Sequence, residues 1–494
     1  MASRVVSPQI ARLRDSRRVA RSPHRWTRVP ACRASKKVFS FSDDSTSERI
    51  NLTLVTRVPN AHGGAVLALA AVEDPDPDSH FPSFVSTSID GTIATWHVEE
   101  DGDVEVSDEC KSPGASPKNK QYKLVRSSQF GDDDAPWWCL QVDDDWMYYG
   151  THTRKVRVRL AVDSELEKLP GCIENHTGWV RAMAKVKKTQ NELSEGNDTS
   201  NDSPNGTPPP PTTGDTWRFS AACNVVRVWQ DSFGFDEDDL VETDESYEDD
   251  DDDDSNTSAI IDVNTTSIFT GDILCMTGVE VSCDTQNERF LLVGVTDGTV
   301  RGWHVDENVR GKKHTAPVMR PILRECSPSA DTESAHPDTS PGSFVEDVAV
   351  DLGCGRVTDL HVLGENNEYK VVAGCRDGTI GLVDVRDLST SPRVTAHAKP
   401  NKNAKLKGVA ALCAGPNNTV CSIGDDGNVK LWKVVEGSSD GQSVLVECGG
   451  VSDKNINNVA SRSSCAIVKH DEVIGVAVGD EAGGIALYVV NTSS

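Results

Sequence analysis

The residue types that carry chemistry are plentiful in this 494-residue chain, but their spacing does not assemble a reaction centre. Its fourteen cysteines include no CxxC pair, and its twelve histidines show no ligand spacing, so no zinc module is written here. Carboxylates crowd residues 236–254, and a run of like charge reads as a solvated segment. Its functional alternative is capture of a basic peptide or weak binding of a divalent ion. Asp132-Asp133-Asp134 and Asp143-Asp144-Asp145 lack the glycine and closing glutamate of a calcium loop. A phosphate loop, a dinucleotide fingerprint, a nucleophile elbow and an HExxH pair are all missing. The sequence therefore predicts a protein that is not an enzyme, with no catalytic residue, cofactor or metal site. Cys139 and Cys275 occupy a repeat position held elsewhere by Ala68, Ala182 and Ala411, which marks small buried side chains and reduced, structural thiols.

The elements behind these residues repeat. Ser88-Ile89-Asp90-Gly91-Thr92-Ile93-Ala94-Thr95-Trp96 has counterparts ending at Trp229, Trp303, Val383, Trp432 and Tyr488, and a degenerate one at Gly150–Arg159. Each reads as a strand, a tight turn and a second strand, preceded by a strand with apolar residues three apart, such as Val66/Leu69 and Val409/Leu412. One supersecondary unit used seven times predicts an all-β, seven-bladed propeller over residues 50–494.

The units resemble WD40 repeats. In blade one the resemblance is carried by His62, the strand Val66–Leu69, Ser88, Asp90 and Trp96. It implies that His62, Ser88, Asp90 and Trp96 form a hydrogen-bonded tetrad pinning the turn to the blade. Blade three has His176 and Trp229 with Asn224 in place of the aspartate. Blades four and six keep Asp297/Trp303 and Asp426/Trp432 without the histidine, and blade five keeps Asp377 with Val383. Blade seven has Ala482 and Tyr488, leaving blade one as the complete case. The family's strand order implies closure by Ile50–Val58, set beside Ile485–Val490 as the outer strand of blade seven.

Extra length falls in Pro-, Ser- and Asp-rich stretches, with 187–214, 231–258 and 306–343 predicted as disordered insertions. Residues 1–36 are predicted to be a disordered leader. Residues 1–37 carry eleven Lys and Arg against the single Asp15, so the −27 chain leaves its remainder near −37. Val29-Pro30-Ala31-Cys32 resembles a plastid transit-peptide cleavage context. The expected address is the chloroplast; a mitochondrial leader or a basic tail of a cytosolic or nuclear protein are the alternatives. A body this acidic argues against binding nucleic acid or an anionic membrane surface.

What remains is a recognition surface for other proteins or peptides, basic ones among them, on a monomeric propeller within a complex. Residues just before the inner strands (Ala65, Pro136, Trp179, Asp272, Arg356, Gly408 and Ser464) line one mouth of the ring, with Trp138, Arg154 and Arg376 nearby. Trp179 stands out because interface hot spots favour indoles and guanidinium groups. The competing reading is a substrate receptor of a cullin-type ubiquitin ligase, because Val383-Asp384-Val385-Arg386 resembles a W-D-x-R box without its tryptophan.

Overall fold

The computed structural model describes residues 50–72, 83–101, 121–131, 136–143, 146–160, 172–173, 176–187, 216–230, 271–282, 287–306, 318–322, 349–363, 369–397, 408–415, 419–436, 443–451, 462–470 and 473–492. The leader lies outside them, as do the insertions 187–214 apart from Lys187 and 231–258, whereas the predicted disorder of 306–343 is corrected in part, because Val318–Pro321 within it is a strand paired with Thr299–Asp306. The chain divides into two units, 1–46 and 47–494, and every described strand belongs to the second.

Every described element is a strand. Blade one pairs Val66–Ala71, Phe84–Ser88, Thr92–Asp101 and Gln121–Gly131 in that order; blade two pairs Trp137–Asp143, Trp146–Thr151, Val156–Leu160 and Cys172–Ile173. Blade three has Val180–Lys187, Thr216–Ala222 and Val225–Gln230. The main strands of blade four are Ile273–Ser282, Asn287–Val295, Thr299–Asp306 and Val318–Pro321, and those of blade five are Val357–Val362, Lys370–Cys375, Thr379–Asp384 and Val394–Thr395. Blade six has Val409–Ala414, Thr419–Gly424, Val429–Glu436 and Ser443–Val451. In the last blade Arg462–His470, Val473–Asp480 and Ile485–Thr492 are followed by Ile50–Val58, which runs antiparallel to Ile485–Thr492 from Ile50↔Thr492 to Val58↔Ile485, and a parallel pair Ile50↔Gly449 joins this blade to blade six in one eight-stranded sheet. The first and the last described strands thus pair with each other, and the edge of Ile485–Thr492 is covered.

The first strands of successive sheets pack side by side, and Arg462–His470 returns to Val66–Ala71. The architecture is a β-propeller. Its core is a set of layers between neighbouring blades. Phe84 and Trp96 of blade one pack with Ile485 and Leu487 of the last blade, whereas Val85 and Ile93 pack with Trp137 and Met147 of blade two. Alternation along each strand makes this possible, since odd and even residues face opposite neighbours. Gly449 shows how tightly the joint between blades six and seven is drawn: a Cβ there would run into the Ile50 carbonyl oxygen.

All seven first strands carry a register shift near their start, leaving Leu67, Trp138, Arg181, Leu274, Thr358, Ala410 and Ser463 out of the pairing. Such bulges re-aim side chains at strand ends. Here the ends are those that carry the tight turns, so the bulged residues gather at one end of the ring.

Candidate protein-interaction face

The turn end is built on hydrogen-bond networks, and blade one shows the logic. Phe84 is paired with Trp96, so the indole lies on the same strand face as residue 86, two positions on. Trp96 Nε1 donates to Ser86 Oγ at 2.8 Å, and Ser86 Oγ meets His62 Nε2 at 2.7 Å. His62 Nδ1 meets Thr92 Oγ1 at 2.6 Å, and Thr92 Oγ1 donates to Asp90 Oδ1 at 2.6 Å. One consistent proton direction runs from indole to carboxylate if the imidazole is neutral with its proton on Nδ1. Burial holds the His62 pKa down at about 4. Burial alone would raise Asp90, but hydrogen bonds from Thr92, Gly63 and Ser88 outweigh it and hold the carboxyl below its ordinary value.

The predicted tetrad is therefore corrected at one member. Ser86, not Ser88, sits between indole and imidazole, because residue 86 lies diagonal to Trp96 on the same strand face, two pairs on, whereas residue 88 lies a further two residues along. Ser88, at the strand end, donates to the Gly64 carbonyl and accepts from the Asp90 amide, bracing the turn.

Blade six corrects a second expectation. It does have the histidine: His397 Nε2 meets Ser422 Oγ at 2.9 Å, and Trp432 Nε1 donates to the same oxygen at 2.8 Å. His397 Nδ1 reaches Asp426 Oδ1 directly at 3.0 Å. Asn428 stands where blade one has Thr92, and its amide caps Asp426 at 3.0 Å. Blade one is thus not the sole complete unit.

Blade three is the incomplete one. His176 Nε2 meets Ser220 Oγ at 3.0 Å, and Trp229 Nε1 reaches that oxygen at 3.3 Å. His176 Nδ1 is buried with no partner among the described residues. The cause is turn length. Ala222 pairs directly with Val225, leaving only Cys223 and Asn224 in the turn, with Cys223 at a φ of 53°. Blades one, four, five and six have longer turns whose aspartate is followed by a left-handed glycine: Gly91, Gly298, Gly378 and Gly427. Burial and, secondarily, the Arg227 charge hold the His176 pKa down at about 4.

Beside this defect lies the exposed part of the face. Trp138 on the bulge of blade two stacks on Trp179, with ring centroids 5.4 Å apart and planes 8° apart. The Arg181 guanidinium carbon lies 5.3 Å from the Trp179 centroid and 5.9 Å from that of Trp138. Trp179 is 45% exposed, whereas Trp96 and Trp432 are 1% exposed. Unlike those two, Trp138 has no acceptor for its indole N–H among the described residues. At the far end of the same interface, Asp143 binds Lys185 at 2.7 Å and Arg218 at 2.6 Å. Arg218 also lies 3.8 Å from the Tyr148 ring centroid. Blades two and three are thus clamped away from the platform.

The other predicted face residues fall at the same end by a recurring bond. The amides of Ile89, His152, Thr296, Arg376 and Asp425 donate to the carbonyls of Ala65, Pro136, Asp272, Arg356 and Gly408. The Arg154 carbonyl accepts from the His176 amide at 3.2 Å. Trp138, Trp179 and Arg154 are brought together around blades two and three, Arg356 and Arg376 sit on blade five, and Asp272 lies on blade four between them. Ser464 does not precede its strand as expected: it pairs with Gly479, two residues inside Arg462–His470. Arg181 was missed by the sequence reading, although it stands two residues past Trp179, at strand spacing.

Among the described residues no group of three or more His, Cys, Asp or Glu side chains is placed to hold a metal ion. Nor is any helix there long and apolar enough to cross a membrane.

No family model matches the sequence, and no curated protein matches it. Among solved structures, a crystal structure of RRP9 WD40 repeats aligns with a TM-score of 0.47 at 13% identity, covering 90% of this chain and 98% of that one. The WD40-like character of the chain rests here on its own geometry: repeated blades, and a histidine–serine–tryptophan network at the turn end of blades one, three and six.

Proposed function

We propose that this protein is a non-catalytic scaffold whose turn-end face receives a segment of a partner polypeptide. The observation that carries the reading is Trp179. A 45% exposed indole stacked on a second indole and flanked by a guanidinium has the composition of an interface hot spot. Exposing it to water has no structural benefit in a fold that buries Trp96 and Trp432. Trp179→Ala should leave the melting temperature of the full chain unchanged and strip the protein of its partners in quantitative affinity capture. Full retention of partners by this variant would refute the face.

The ubiquitin-ligase reading is disfavoured by Arg386. Its guanidinium bonds Asp384 at 3.0 Å and 2.6 Å and lies 4.5 Å from the Tyr369 ring centroid, so it is engaged within its own blade. The basic, acid-poor composition of residues 1–36 supports an organelle leader, and the resemblance of Val29-Pro30-Ala31-Cys32 to a plastid cleavage context favours a chloroplast. Imaging of the protein with its N-terminus intact tests that address, and a diffuse cytosolic or nuclear signal would contradict it.

A further inference from the structure

We propose that the turn-end face selects an acidic peptide segment bearing an aromatic side chain. This deepens the scaffold reading and rests on it. The argument is a difference in pairing between the acidic and basic groups at the ring's mouth. The turn aspartates are already engaged: Asp90 by Thr92 and Gly63, Asp297 by Thr299, Asp377 by Thr379 and Arg393, and Asp426 by His397 and Asn428. Among the described residues, by contrast, no carboxylate pairs with Arg154, Arg181, Arg356 or Arg376. Arg154, Arg356 and Arg376 are exposed. Arg181 is held against the indoles by a cation–π contact, which leaves its N–H donors available for a carboxylate.

Two positive sites thus flank the exposed Asp272 of blade four, in a chain whose net charge is −27. Guanidinium groups without a carboxylate partner attract a ligand that carries carboxylates at matching positions. Adjacent sheets pack about 10 Å apart, so Arg181 on blade three and the arginines of blade five are separated by roughly 20 Å. About six extended residues span that gap. Carboxylates at both ends of such a segment meet the two sites, and its aromatic residue packs on Trp179. Asp272 lies under the middle, where it disfavours a negative charge. The expectation of a basic partner drew on the acidity of the body and on the acidic run at 236–254, which lies outside the described residues.

The test is calorimetric titration of the full chain with a blocked eight-residue peptide of glutamates around one phenylalanine, alongside its glutamine and lysine counterparts. The glutamate peptide should bind, weaken about tenfold with Arg181→Gln or Arg376→Gln, and weaken as salt is raised. Asp272→Asn should tighten it severalfold, and this variant removes no apolar contact, so it serves even if an arginine variant fails to fold. Equal affinity for the glutamine or lysine peptide overturns the acidic selectivity, and so does indifference of the glutamate peptide to all three substitutions. No binding by any peptide also overturns it. If Trp179→Ala abolishes lysine-peptide binding, the face stands while its charge preference falls. If Trp179→Ala changes nothing for a bound peptide, the face itself is wrong.

Discussion

Blades one and six share with blade three the same histidine, serine and tryptophan, yet only the first two give the imidazole a partner at both nitrogens. In blade six the Asp426 carboxylate is reached directly; in blade one Thr92 relays to Asp90. In blade three the turn is too short to present a carboxylate, and His176 Nδ1 is left without a partner among the described residues. Turn length therefore decides whether the same side chains lock a blade. The unlocked blade also carries Trp179, three residues past His176. Departures from a repeated structural rule are expected where a protein acts, which ties the defect to the proposed face.

The comparison breaks most readily at Asp426. Asp426→Ala removes the only acceptor described for His397 Nδ1 and should cost about 2–3 kcal/mol, since a buried donor is left unsatisfied. Denaturant titration would show it as a lowered midpoint with an unchanged slope. A cost no larger than that of an exposed-loop substitution would mean the direct His–Asp contact does not lock the blade.

Acid tests the same networks next. His62, His176 and His361 are held neutral by burial, with pKa values lowered to about 4. The folded protein binds fewer protons there than the unfolded chain. Stability is therefore full above about pH 6.5 and falls as pH drops toward 4, by about 2 kcal/mol per imidazole at pH 5. Asp359 opposes this. Burial raises its pKa to about 7 despite hydrogen bonds from the Leu412 and Leu360 amides, so its contribution shrinks as pH rises from about 4 to 7. Three imidazoles outweigh one carboxyl, and the melting temperature should fall between pH 7 and pH 5. A rise would contradict the assigned neutral tautomers.

Asp90→Ala should cost less than Asp426→Ala, about 1 kcal/mol, because Thr92 still receives the His62 Nδ1 proton. Equal losses would show that the threonine relay adds nothing. The smallest effect sharpens the comparison: Asn224→Asp with a glycine inserted after it lengthens the blade-three turn to the blade-one pattern. The gain should be up to about 1 kcal/mol, with the His176 pKa rising above about 4 in an NMR titration. An unchanged pKa would mean turn length is not the cause.

Much of this was legible in the sequence, for physical reasons. Alternating β-branched residues mark the strands, and Asp-Gly pairs mark turns that need a left-handed residue, so the all-β repeat could be read directly. Ser86 and Ser88 could not be told apart, because both lie on one strand face and only the pairing of Phe84 with Trp96 shows which meets the indole. His397 was hidden by the ten residues between it and the described start of blade six, whereas His62 stands four residues before Val66. The short turn was countable once the serine was known: nine residues separate Ser220 from Trp229, but ten separate Ser86 from Trp96 and Ser422 from Trp432. Arg181 escaped notice because a charged residue on an inner strand is unusual, and its place on a bulge emerges only from the register.

The most direct measurement is site-specific photo-crosslinking in the cell, with a benzophenone side chain replacing either Trp179 on unlocked blade three or Ile89 on locked blade one. Ile89 is the matched comparison, as an apolar turn-end residue 49% exposed. Position 179 should give discrete adducts that fade when the acidic, phenylalanine-bearing peptide competes in lysate, and position 89 should give none. Adducts from position 89 alone would contradict the assignment of the binding face to blades two and three.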